Sequence, residues 1–169
     1  MQYRTRLEIF YTAVPLLLVF VLLGFTFRVD ALLTETTEQP DLVVEVTGFQ
    51  WQWQFHYPEL GITIAGDPED PPVLYLPVGR TIRFKLLAED VIHSFWVPEF
   101  LEKRDMVPGV TNEIEITVDR TGYWVGRCAE YCGFDHWRMT FDVKAVPADE
   151  FDRWIADARD APQPILGAL

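Results

Sequence analysis

Cysteine is scarce in this chain, with two residues among 169, too few for a disulfide-stapled scaffold. Positive charge is scarce as well: 14 Lys and Arg stand against 26 Asp and Glu, for a formal net charge of −12. A protein that binds nucleic acid by neutralising phosphates needs the opposite sign. Nucleic acid is therefore excluded as a partner, and a cationic partner is expected. Ten glycines without a repeat, in a chain 49% hydrophobic, exclude the collagenous and disordered classes. No C-x-x-C-H occurs, which excludes a covalently attached haem c. Long apolar runs are also missing, with one exception.

That exception covers residues 9–27, IFYTAVPLLLVFVLLGFTF, which carry no charge and are bounded by Arg4, Arg6 and Glu8 before and by Arg28 and Asp30 after. At ~1.5 Å per residue such a helix spans about 28 Å, one hydrocarbon core. A cleaved signal peptide has a shorter apolar region followed by a small-x-small site, and no such site follows Phe27, so a membrane anchor is expected. Pro15 lies where a membrane helix tolerates a kink. Tyr3, Tyr11, Phe25 and Phe27 fit aromatic belts at the two faces of the bilayer. Arginines precede the span and acids such as Glu35, Glu38 and Asp41 follow it. The N-terminus is therefore expected in the cytoplasm and the remainder outside, on a single-pass protein of the cell membrane. The first thirty residues hold three Arg, Glu8 and Asp30, so residues 31–169 hold 11 basic and 24 acidic side chains and carry −13.

The expected organisation is an anchor at 1–30, a polar linker at 31–41, a β-domain at 42–146, and a helix and tail at 147–169. Within the domain the apolar pattern has period two. Strands are expected at 42–47, 50–57, 73–76, 81–87, 91–97, 112–118, 123–127 and 139–146, separated by Pro and Gly turn signals. Ile82, Phe84 and Leu86 share one face, as do Ile114, Ile116 and Val118, so each strand has one dry side. The pattern reads as an antiparallel sandwich or small barrel. Only the tail reads as helix, with Phe151, Trp154, Ile155 and Ala158 on one face, Asp149 and Glu150 in the first turn, and Pro162 and Pro164 ending it.

Chemistry concentrates in Cys128-Ala-Glu130-Tyr-Cys132-Gly-Phe-Asp-His136-Trp-Arg-Met139, which places two thiols, an imidazole and a thioether between two expected strands. A second imidazole, His93, lies on a strand upstream. Soft thiolate and thioether ligands together with imidazoles select copper. A mononuclear blue-copper site needs only one Cys; a second thiolate allows two metal ions to share the sulfurs and delocalise one electron. Two other readings use the same residues: a Cys128–Cys132 disulfide, and zinc held by both cysteines and both histidines. The zinc reading leaves Met139 without a role. His56, on the face opposite the tryptophans, is expected to be a solvated strand residue. Trp51, Trp53, Phe55 and Tyr57 alternate on one strand face, which is usual for a core.

The pattern C-x-E-x-C-G-x-x-H-x-x-M is met without a gap and resembles the copper A domain of cytochrome c oxidase subunit II. The stretches VIHSFWVP (91–98), KRDMVPG (103–109), GFQWQWQF (48–55) and LEIFYTAVP (7–15) are similar to further motifs of that family, in the same order. The resemblance implies an all-β, cupredoxin-like Greek-key β-sandwich or barrel, with one N-terminal transmembrane helix and a short C-terminal helix. It implies that His93, Cys128, Cys132, His136 and Met139 ligate a dinuclear copper A centre, with Glu130 adding its backbone carbonyl and directing its carboxylate to magnesium at a boundary with subunit I. It further implies that Trp51 receives electrons from cytochrome c, that Glu8 stands at the mouth of a proton path, and that Lys103 and Asp105 lie near the subunit I boundary. Glu89 and Asp90, with Asp67, Glu69 and Asp70 as a second rim, would form an acidic docking surface for cytochrome c. The implied role is that of an electron-receiving subunit of a haem-copper terminal oxidase, assembled with subunit I and other oxidase subunits, which catalyse oxygen reduction. An exported copper- or zinc-binding module without redox turnover is the alternative.

Two departures from the family stand out. Most members have two membrane helices, and LEIFYTAVP aligns with the second, so the first is expected to be absent or supplied by another chain. Phe134, Asp135, Trp137 and Arg138 are heavier and more charged than the small polar residues common at those positions.

Overall fold

A computed structural model describes residues 3–66 and 69–160. Asp67 of the expected acidic rim, and Pro162 and Pro164, lie outside the described residues. The chain divides into two compact units, Met1–Thr37 and Glu38–Leu169.

The first unit is one helix, α1, Thr5–Leu33, with no buried residue and with Pro15 inside it. Leu, Val and Phe occupy every side of it, so it has no polar stripe with which to lie on a soluble core. It is long and apolar enough to cross a membrane, and it extends beyond the uncharged run at both ends.

Among the described residues the second unit holds ten strands: β1 Leu42–Phe49, β2 Gln52–Tyr57, β3 Ile62–Gly66, β4 Val73–Pro77, β5 Thr81–Ala88, β6 His93–Val97, β7 Glu102–Met106, β8 Asn112–Thr117, β9 Gly122–Cys128 and β10 Thr140–Val146. They form two five-stranded sheets, ordered β3-β2-β1-β5-β8 and β4-β10-β9-β6-β7. The fold is a cupredoxin-like sandwich. Alternation does what period two requires: Ile82, Phe84 and Leu86 of β5 point inward with no exposure, facing Val44 and Val46 of β1 within the same sheet. At the centre Phe141 stacks on Phe95 at 5.2 Å and meets the edge of Trp53 at 5.0 Å. Gly126 makes room for this ring, since a Cβ there would lie 2.1 Å from it.

One expectation is corrected. The sheets are mixed, because β1 pairs with β5 and β10 with β4 in parallel. A period-two pattern identifies the dry face of a strand and carries no information on the direction of its neighbour; after β3 the chain crosses to the other sheet as β4 and returns as β5, arriving parallel to β1. The strands β3 and β7 were not among those expected. Both are edge strands, and EKRDM in particular has the charged composition that protects an edge. The final helix α2, Ala148–Asp160, buries Phe151 completely and stacks Trp154 on Tyr75 at 4.7 Å.

Candidate metal centre

Three connections meet at one end of the sandwich. The β1–β2 turn brings Gln50 and Trp51, the β5–β6 connection leads into His93, and residues 129–139 join β9 to β10. The base of the last connection is closed by Cys128 N–H donating to the Met139 carbonyl at 2.9 Å, and Ala129 N–H ties it to Ser94 of β6 at 3.0 Å. Gly133 takes φ +121° in it, a conformation that favours glycine. Trp53, within the core, donates from Nε1 to the Met139 carbonyl at 3.3 Å. The Cys132 carbonyl accepts from Gln50 Nε2 at 2.7 Å and from Trp51 Nε1 at 3.2 Å.

These anchors bring the five expected side-chain ligands together. The Cys128 and Cys132 sulfurs stand 3.8 Å apart as free, buried thiols, well beyond the ~2.05 Å of a disulfide. His93 Nδ1 lies 3.8 Å from Cys128 Sγ, His136 Nδ1 3.5 Å from Cys132 Sγ, and Met139 Sδ 3.8 Å from Cys132 Sγ. Among the described residues, His93, Cys128 and Cys132 form a grouping with metal-ligand spacing, their donor atoms all within 4.8 Å of one another. The Glu130 carbonyl lies 3.2 Å from Cys128 Sγ, while its side chain is exposed. Its carboxylate is not part of that grouping, and magnesium there finds no support.

The electrostatics separate the two thiols. Burial raises both, but hydrogen bonding with His93 and backbone groups outweighs it at Cys128 and brings that thiol down to about 7. Cys132, penalised by burial and by the charge of Cys128 beside it, is pushed up to about 12. Two sulfurs this close ionise together only with cationic charge between them. His93 is fully buried at the start of β6, its ring against Gly48, where an added Cβ would come within 3.3 Å of the imidazole. Its Nε2 lies 2.8 Å from Asp90 Oδ1. Burial alone would raise the Asp90 carboxyl, but His93 and the Gln50 and Val91 N–H groups hold it below its usual value. The carboxylate therefore accepts from Nε2–H, an arrangement that would free Nδ1 for a metal once its proton is displaced.

Other expected residues fall elsewhere. Glu8 is in the first turn of α1, in the other unit. Trp51 is half-buried at the Cys132 carbonyl, whereas Trp53, Phe55 and Tyr57 are core. His56 Nδ1 lies 2.9 Å from Thr63 Oγ1 on the outer sheet face. Glu89 is exposed, Glu69 pairs with Arg138, and Lys103 pairs with Asp105. Asp90, placed on the docking rim by the sequence, has both carboxylate oxygens engaged at His93, Val91 and Gln50. Its position three residues before an expected ligand, His93, was the available signal; Gln50 offered none.

Comparison with known proteins points the same way. Residues 69–146 match the family described as cytochrome C oxidase subunit II, periplasmic domain. A probable cytochrome c oxidase subunit 2 of Streptomyces avermitilis is 38% identical over 194 residues, covering 92% of this chain and 61% of the relative. The cytochrome c oxidase subunit 2 of Alkalihalophilus pseudofirmus is 38% identical over 156 residues, 89% of this chain and 44% of its own length. The chain thus spans between about two fifths and three fifths of these curated relatives. The crystal structure of the periplasmic domain of subunit II of cytochrome oxidase from Bradyrhizobium japonicum superposes with a TM-score of 0.67 at 31% identity, over 73% of this chain and 97% of that one. With its motifs, its two-sheet fold and these relatives in agreement, the chain belongs to the cytochrome c oxidase subunit II family.

Proposed function

We propose that this chain is the membrane-anchored subunit of a haem-copper terminal oxidase that receives electrons from cytochrome c at a dinuclear copper A centre and passes them toward haem in subunit I. The observation that carries the reading is the pair of free thiols 3.8 Å apart, flanked by two imidazole Nδ1 atoms and a thioether. This donor set fits copper: it is soft, it contains two sulfurs able to serve two ions, and it gives Met139 a role that zinc does not. His93, Cys128, Cys132, His136 and Met139 would hold the metal by side chains and Glu130 by its carbonyl. Bound there, copper would supply a one-electron store.

The protein's own residues prepare the site. Burial of His93, Cys128, Cys132 and Met139 keeps water from the sulfurs. Asp90 fixes the His93 tautomer. Trp51 is the proposed point of electron arrival, because its ring is half-exposed and its Nε1 is bonded to the carbonyl of a ligand cysteine. The charge of −13 on residues 31–169 favours a basic partner and speeds encounter with it. Oxygen reduction belongs to another subunit in this reading, and α1 anchors the chain with the copper domain on the extracytoplasmic side. Full-length chain loaded with copper in detergent tests the proposal. Two coppers per chain, with an electron paramagnetic resonance spectrum split by two equivalent copper nuclei, is the expected result; a single copper, or preference for zinc, would overturn it.

A further inference from the structure

We infer that Gln50 is a positioning residue for the metal centre, tying together the two separate segments that carry its ligands. The inference rests on the copper reading above. Gln50 lies in the turn between β1 and β2 and is not itself among the expected ligands. Its backbone N–H donates to Asp90 Oδ2 at 2.7 Å, and the other oxygen of Asp90 accepts from His93 Nε2 at 2.8 Å. Its side-chain Nε2 donates to the Cys132 carbonyl at 2.7 Å. A continuous run of hydrogen bonds therefore passes from His93 through Asp90 and Gln50 to Cys132, joining groups that are 40 and 82 positions away from Gln50 in sequence.

The surroundings of the turn are cut to fit this arrangement. On one side Gly48 faces the His93 ring, and an added Cβ would stand 3.3 Å from it. On the other side Gly133, at φ +121°, lies against the Gln50 amide, and an added Cβ would stand 3.0 Å from Nε2. Both ligand-bearing segments thus approach the same turn where a side chain is missing. Gln50 is exposed and outside the hydrophobic core, so packing does not account for it. The position calls for a donor long enough to reach a carbonyl and without negative charge, because a carboxylate would repel both the Cys132 carbonyl and Asp90. Partners that orient metal ligands in this way commonly change metal affinity when removed.

The test uses full-length protein in detergent, as wild type, Gln50→Met (similar length, no donor), Gln50→Lys (donor kept) and Gln50→Ala as a second truncation. Circular dichroism melting should be alike in all four, because no core residue is altered. Copper release to a chelator should be about 10-fold faster in Gln50→Met and Gln50→Ala, with altered copper hyperfine splitting, and Gln50→Lys should return toward wild type. Release and hyperfine values in Gln50→Met equal to wild type would overturn the inference, and so would equal loss in Gln50→Met and Gln50→Lys. Copper-free protein supplies an independent reading by nuclear magnetic resonance: the amides of His93 and of residues 129–139 should shift or broaden in Gln50→Met. If wild-type protein fails to hold two coppers, the copper reading falls, and the copper-free amide signals decide whether Gln50 joins the two segments; unchanged signals would end the inference as well.

Discussion

Asp105 lies between Lys103 Nζ at 2.5 Å and the hydroxyl of the fully buried Ser94 at 2.8 Å. These two donors, Lys103 first, hold its carboxyl below the usual 3.8. A carboxyl lowered by folding stabilises the fold above its unfolded value, and that contribution is lost as pH falls through the folded value. Asp105→Asn should therefore reduce the unfolding free energy of the copper-free chain slightly near pH 6, by less than ~1 kcal/mol because the pair is half-exposed. The difference from wild type should begin to narrow near pH 3.8 and close only once the pH is below the lowered folded value; a difference that does not narrow on acidification would assign the effect to packing. Glu8 belongs to a different question. If it opens a proton path in the assembled oxidase, Glu8→Ala should slow proton uptake during turnover, whereas unchanged uptake would reduce it to a charge that ends a membrane span. That the candidate ligand residues converge was readable in advance because metal chemistry restricts residue type and local spacing. Asp90 and Gln50 were not, because their roles depend on a turn and a loop that meet only in the folded domain.

The short helix α2 shows how an element is held by few contacts. Phe151 is 1% exposed, and Trp154 lies flat on Tyr75 while meeting the edge of Tyr57. Truncating a buried aromatic leaves a cavity, so Phe151→Ala should cost about 3 kcal/mol in denaturant unfolding; a cost below ~1 kcal/mol would mean that the helix is not docked. The amphipathic pattern of α2 and the dry faces of β1, β5 and β8 were legible because each buries one side against the core. The edge strands β3 and β7 were not: each is five residues long, and the charges of EKRDM, which protect an edge, hide a strand from a hydrophobic pattern. Gln50 and Trp51 continue the alternation of β2, yet they form a turn, and the strand of His93 begins two residues later than its apolar pattern, leaving Val91 and Ile92 exposed. In both places the departure from the local pattern lies beside the candidate metal centre.

At the scale of the whole molecule, the excess of acids acts as a sum. Glu89 is exposed close in sequence to His93, while Asp90 is occupied in orienting the ring. If the chain docks cytochrome c as proposed, Glu89→Gln in the assembled oxidase should slow cytochrome c oxidation more at low than at high ionic strength, since screening at 0.1 M acts over ~10 Å; equal slowing at both would remove the steering argument.

The hairpin of β9 and β10 has a consequence for how such centres can be built. It carries Cys128, Cys132, His136 and Met139 on a connection closed at its own base, and borrows only His93 from a neighbouring strand. Residues 122–146 are in effect a portable cassette: transplanted onto another two-sheet barrel, they would require from the host a matching histidine with its carboxylate partner, a glycine opposite it, and a turn whose donors reach the Cys132 carbonyl.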